Sequence, residues 1–148
     1  MGKVFNELKK FKKKYPLTLA WRLNSHAKVI EEHINDDEEI LYVFTGQKNS
    51  TFYEIFHTSV FVVTNKRLMI ATSRVFFGYF FYSITPDMFN DLTISSGLIW
   101  GKVIIDTIKE VVTISNLDKR CLNEIEDNLT KNIIEKKPLA WKTKGFVV

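Results

Sequence analysis

The chain has 148 residues, 45% hydrophobic, 26% charged and 14% aromatic, with 6 Gly, 3 Pro and a single Cys, a balance that excludes disordered, collagen-like and disulfide-scaffolded proteins. A chain of this length buries roughly two-thirds of its unfolded surface and needs no disulfide or metal staple; the lone Cys121 cannot form an internal bridge and points to a reducing, cytoplasmic setting. The formal net charge of +4 hides an uneven distribution: residues 1–15 sum to +5, residues 136–148 to +4, and the middle of the chain is left at −5.

At the start, Phe5, Leu8, Phe11 and Tyr15 fall on one helical stripe while Lys9, Lys10, Lys12, Lys13 and Lys14 fill the remaining arc, which predicts a basic amphipathic helix. The lysines are candidates for contact with an anionic surface. Phe5, Leu8 and Phe11 are candidates for apolar contact, either with a bilayer or with the protein's own body. Behind the lysines the best apolar stretch is Leu17 to Trp21, too short for the core of a secretory signal. Pro16 closes this helix. A second is expected from Thr18 as N-cap, carrying Leu19, Leu23, Ala27, Ile30 and Ile34 on one face and ending near the polar cluster at 35–39. The two make an N-terminal helical arm over residues 1–35.

From Glu39 the texture changes to short β-rich runs, read as seven strands near 39–46, 54–64, 67–75, 79–85, 91–96, 101–108 and 110–116. A polar loop spans 47–51, Thr64-Asn65-Lys66 is a tight turn, and Gly78 marks another. The most apolar run, Val75 to Tyr82, is far below the roughly 20 residues a membrane-spanning helix requires, so no transmembrane helix is expected. The last helix starts at Asp118 as N-cap, places Leu122, Ile125, Leu129 and Ile133 on one face, and is stopped by Lys136, Lys137 and Pro138. Residues 36–136 thus form the main domain. The basic tail, 137–148, contains Trp141 and Phe146 and either folds back or stays mobile.

Seven short antiparallel strands followed by one amphipathic helix is the element order of the pleckstrin-homology (PH) superfold. Val62-Val-Thr-Asn-Lys-Arg-Leu68 resembles the TNKRL signature of bacterial PH-like domains of the short YokE-like type. Ser96-Gly-Leu-Ile-Trp-Gly-Lys102 is similar to that family's glycine-bracketed stretch before the sixth strand, and His33 to Leu41 to its domain start. The resemblance covers roughly residues 33–135. It implies a mainly β, α+β fold: a bent seven-stranded antiparallel sheet or barrel capped by a C-terminal helix, here with the two-helix arm added. Thr64, Asn65, Lys66, Arg67, Gly97 and Gly101 are then structural motif residues. Their chemistry agrees, since Asn tolerates left-handed geometry, Thr bonds locally, and glycines suit a bend at a barrel corner.

Reactive groups are sparse. His26 and His33 lie two helical turns, roughly 10 Å, apart, too far to ligate one ion directly, and neither HExxH nor Cys-x-x-Cys occurs. Surface positions are expected for both. His57 lies in a strand near Glu54 and reads as a satisfied strand histidine, and Cys121 as a buried thiol. Gly78, Gly97 and Gly101 do not form a phosphate-cradling loop. The expectation is a non-enzyme with no metal and no cofactor.

For binding, eukaryotic PH domains use paired Lys and Arg around the first hairpin, where this chain offers only Lys48, so no phosphoinositide site is expected. Phe76 and Phe77, at the tip of a hairpin, could wedge into a bilayer beside the basic arm or be covered by protein. Specific nucleic-acid binding is disfavoured, because lysine point charges do not read bases and the acidic body repels phosphate. The reading favoured by the sequence is a cytoplasmic binding or scaffolding module that meets a protein partner or a second copy of itself. The alternative is a peripheral protein held at the inner face of the membrane by the basic helix and the aromatic tip.

Overall fold

The computed structural model describes residues 2–48, 58–74 and 78–136. Helix α1 (Lys3–Lys14) and helix α2 (Leu23–His33) precede seven strands: β1 (Ile40–Lys48), β2 (Thr58–Thr64), β3 (Leu68–Ser73), β4 (Tyr79–Ile84), β5 (Phe89–Ser96), β6 (Trp100–Thr107) and β7 (Val111–Asp118). Helix α3 (Leu122–Asn132) follows, and 3-10 turns occupy Pro86–Met88, Lys119–Cys121 and Ile134–Lys136. All strand pairings are antiparallel. Their order is β4-β3-β2-β1-β7-β6-β5, a curled half-barrel in which the two edge strands, β4 and β5, are consecutive in the chain.

Strand alternation sends residues to two faces, and each face has its own core. Inside the curl, Phe44, Phe61, Ile70, Val103 and Ile114 meet Leu122, Ile125, Leu129 and Ile133 of the C-terminal helical segment. On the convex face, Val43, Val60, Val62, Met69 and Ala71 are covered by Val4 and Leu8 of α1 and by Ala27, Val29 and Ile30 of α2. β2 is buried along its whole length because both faces are covered.

Two sequence expectations are corrected here. Thr18 does not cap α2: it is fully buried, and its hydroxyl accepts from the Asp118 amide at 2.9 Å. The helix begins instead after Arg22, whose backbone is left-handed (φ 56°) and whose guanidinium donates to the Ser73 carbonyl at 3.0 Å. Asn65 is not left-handed, because the only non-glycine residues with positive φ among those described are Arg22 and Asn116. What Asn65 contributes is an acceptor: its Oδ1 takes the Glu39 amide at 2.8 Å. Asp118 does cap the C-terminal helical segment, through the 3-10 turn that leads into α3, where its carboxylate accepts from the Arg120 amide.

Candidate interaction surface

The apolar stripe of α1 faces inward. Leu8 is fully buried and Phe11 and Tyr15 nearly so, while Phe5 is half-buried. Phe11 packs edge-on to Tyr42 of β1. Val4, absent from the sequence-predicted stripe, is fully buried as well. This leaves the lysines, and they separate into two groups. Lys12 bends back to the Pro16 carbonyl at 2.9 Å and also reaches the Thr18 carbonyl, and burial lowers its pKa against the pull of Asp118. Lys14 is ion-paired with Glu124 at 2.7 Å. Lys9, Lys10 and Lys13 face solvent, with Lys10 reaching Glu7 and Lys9 lying over the Phe5 ring. Phe76 and Phe77 lie outside the described residues, as do His57 and Glu54.

The Thr64–Arg67 turn is a structural clamp. The Thr64 hydroxyl accepts from the amides of Lys66 and Arg67 and donates to the buried Glu38 carboxylate at 2.7 Å. Arg67 forks onto Glu38 at 2.7 and 3.2 Å and also donates to the His33 carbonyl, so one guanidinium ties the β2–β3 turn to the end of α2. Lys66 pairs with Asp37 beside it. Burial raises the Glu38 pKa, but the bonds from Arg67, Thr64 and the Asn35 amide outweigh it and hold the carboxyl below its usual value.

Gly97 and Gly101 bracket the β5–β6 hairpin tip. A Cβ on Gly101 would lie 2.4 Å from Leu122 Cδ1, so this glycine sets how closely α3 approaches the sheet. Between the glycines, Leu98 is 88% exposed, and Ile99 and Trp100 are also exposed. The Trp100 indole donates to the Leu17 carbonyl at 2.8 Å, bringing exposed Leu17 alongside. Leu17 is anchored in turn, because its amide reaches the Asp118 carboxylate, which Arg120 grips at 2.6 and 3.0 Å. Arg120 holds the Asp118 carboxyl below its ordinary range, against burial. The result is a fixed apolar patch. Sequence reading treated this stretch as structural and missed the patch; its signal is Leu-Ile-Trp, an unbroken apolar triplet at a turn, where alternation cannot hide all three side chains.

An open groove of ≈ 280 Å³ lies at the other sheet edge, between β4 and the β6–β7 turn, lined by Phe80, Tyr82, Ile84, Met88, Lys109 and Glu110 among others. Lys48, the one cation of the first hairpin singled out from sequence, lies over the rings of Phe80 and Tyr82 at 5.1 and 4.9 Å. Burial, with the Glu110 carboxylate nearby, pushes the Tyr82 phenol above its ordinary value.

The histidines differ from expectation. His26 is buried, not superficial: its Nδ1 accepts from the Ser73 amide at 2.8 Å, and burial, aided by the charge of Arg22, lowers its pKa to about 4. His33 is half-buried, its ring stacked on Phe81 at 4.0 Å, with Nδ1 2.8 Å from the Val29 carbonyl. Cys121 is buried and its thiol is pushed up to about 12 by burial. Among the described residues no group of three or more His, Cys, Asp or Glu is placed to hold a metal ion. No helix among them is long and apolar enough to cross a membrane.

No curated protein sequence matches this chain. Among solved structures it is similar to a pleckstrin homology domain from Shewanella amazonensis SB2B, at 13% identity over 76% of this chain and 89% of that one, with a TM-score of 0.49. The family model described as "Bacterial PH domain" matches residues 34–131. That span runs from the end of α2 through the whole half-barrel and nearly to the end of α3, and on it the protein belongs to the bacterial PH-domain family.

Proposed function

We propose that this bacterial PH domain is a non-catalytic interaction module that binds another protein chain through the patch formed by Leu17, Leu98, Ile99 and Trp100. The observation that carries the reading is Leu98: at 88% exposure on a hairpin tip held by hydrogen bonds, a leucine costs solubility and contributes nothing to the fold. An apolar patch that is already ordered loses little entropy when covered, which favours association. The membrane alternative has weaker support. With Leu8 and Phe11 inside the protein, α1 offers a bilayer only a lysine face, and a few exposed ammonium groups give attraction that physiological salt screens.

The test pairs affinity capture with vesicle co-sedimentation, using the full chain and its Leu98→Asp variant. We expect a bound protein, or a second copy of this chain, to be lost with Leu98→Asp while the urea unfolding midpoint stays put, and no sedimentation with anionic or neutral vesicles. Capture indifferent to Leu98→Asp, or sedimentation that needs anionic lipid and the α1 lysines, would overturn the reading.

A further inference from the structure

The apolar hairpin patch has a polar neighbour. Along β6 exposed and buried residues alternate, so Trp100 and Lys102 share the outer face while Gly101 and Val103 are buried. Ser95 of β5 stands opposite Lys102 in the ladder. These side chains, with Ser96 and Asn116, line an open pocket of ≈ 180 Å³ whose lining residues are all among those described. Trp100 belongs to both pocket and patch, so the two are continuous.

The pocket walls are fixed, yet their polar groups are unspent. Trp100 is held by its bond to the Leu17 carbonyl, and left-handed Asn116 by its own carbonyl, which accepts the Leu19 amide at 3.0 Å. Among the described residues the Ser95 hydroxyl, the Asn116 carboxamide and the exposed Lys102 ammonium meet no hydrogen-bond or ion-pair partner. Charge around the patch is one-sided. Exposed Lys119 donates its amide to the Ile99 carbonyl at 3.4 Å and so stands beside the tip, while Asp118, opposite Trp100 on β7, is buried and taken up by Arg120. Two uncompensated ammonium groups therefore border the apolar side chains of Leu17, Leu98, Ile99 and Trp100. One lysine with two neutral donors suits a single carboxylate; a polyphosphorylated group needs several cations or a forked guanidinium.

We infer that the hairpin patch recognises a protein segment carrying an acidic side chain next to a large apolar one, a refinement that rests on the patch binding a protein chain. The apolar residue covers Leu98 and Trp100, and the carboxylate enters the pocket to accept from Lys102, Ser95 and Asn116.

The probe is a library of random linear peptides displayed on phage and selected on the full chain at physiological salt. Recovered peptides are expected to carry Asp or Glu next to Leu, Phe or Trp, and to lose binding with Leu98→Asp. They should bind about fivefold more weakly to Lys102→Gln, whose exposed position leaves the urea midpoint in place. Selection on Lys102→Glu should return peptides with Lys or Arg in place of the acid. Peptides that need Leu98 but lack an acid, or that ignore both Lys102 variants, would overturn this inference and leave the patch as a protein-binding site. An empty selection would overturn it as well. Peptides indifferent to Leu98→Asp would overturn the patch reading and this refinement together.

Discussion

His26 converts burial into a pH dependence. Its ring is neutral in the folded protein down to about pH 4, whereas the ordinary histidine value is 6.5. Between those values the unfolded chain holds more protons than the folded one, so stability is full above the upper value and is lost as pH falls towards the lower, by up to about 3 kcal/mol. Urea unfolding at neutral and mildly acidic pH should show this loss. His26→Gln, which keeps an acceptor for the Ser73 amide, should flatten it. The Arg67–Glu38 pair makes a different demand: its carboxylate is buried, so removing the guanidinium leaves an uncompensated charge. Arg67→Ala is expected to cost about 3–5 kcal/mol, with Arg67→Lys in between because an ammonium cannot fork. Gly101→Ala should cost about 1–3 kcal/mol, since Leu122 must move inside a packed core. At this scale the sequence was half legible. Thr64, Arg67 and Gly101 were visible as motif residues; Glu38, the buried partner of Thr64 and Arg67, carried no signal, because a glutamate among Asn35-Asp-Asp-Glu-Glu39 looks solvated until the Thr64–Arg67 turn closes on it.

At the scale of elements, the amphipathic α1 was readable from spacing, but its destination was not. The same stripe serves a bilayer or a protein core, and only the convex face of the sheet, left bare by α2 alone, explains why Val4 and Leu8 turn inward. Burying such side chains contributes about 1.5–3 kcal/mol each, and Leu8→Ala should destabilise the whole protein by about 2–5 kcal/mol in a denaturant melt. A lipid anchor would lose vesicle binding and keep its stability. Among the described residues the strands were placed well because alternation and turns mark them locally, while 54–57 of the second predicted strand lie outside those residues. The irregularity in β7 was not: left-handed Asn116 sits where the β6 register shifts between Gly101 and Val103, and its carbonyl accepts the Leu19 amide at 3.0 Å. That bulge re-aims Leu117 into the core.

At the scale of the molecule, the two faces of one sheet are tied to three helices, so arm and half-barrel should unfold together. Helical circular dichroism and tryptophan fluorescence are expected to report one coincident thermal transition; an earlier helical transition would mark the arm as a separate unit. What the sequence determined by itself was the local grammar: seven strands, three helices and the turn chemistry rest on periodicity and short-range bonding, which act within a few residues, and the family resemblance rests on the motifs at Val62–Leu68 and Ser96–Lys102. What the tertiary structure decided was the fate of ambiguous side chains. Whether a lysine is free or folded onto a carbonyl, whether a histidine is charged, and whether Leu98 is covered depend on neighbours distant in sequence, as Lys14 meets Glu124 and Trp100 meets Leu17. Spacing within a helix or strand cannot encode those meetings; the closure of the sheet creates them.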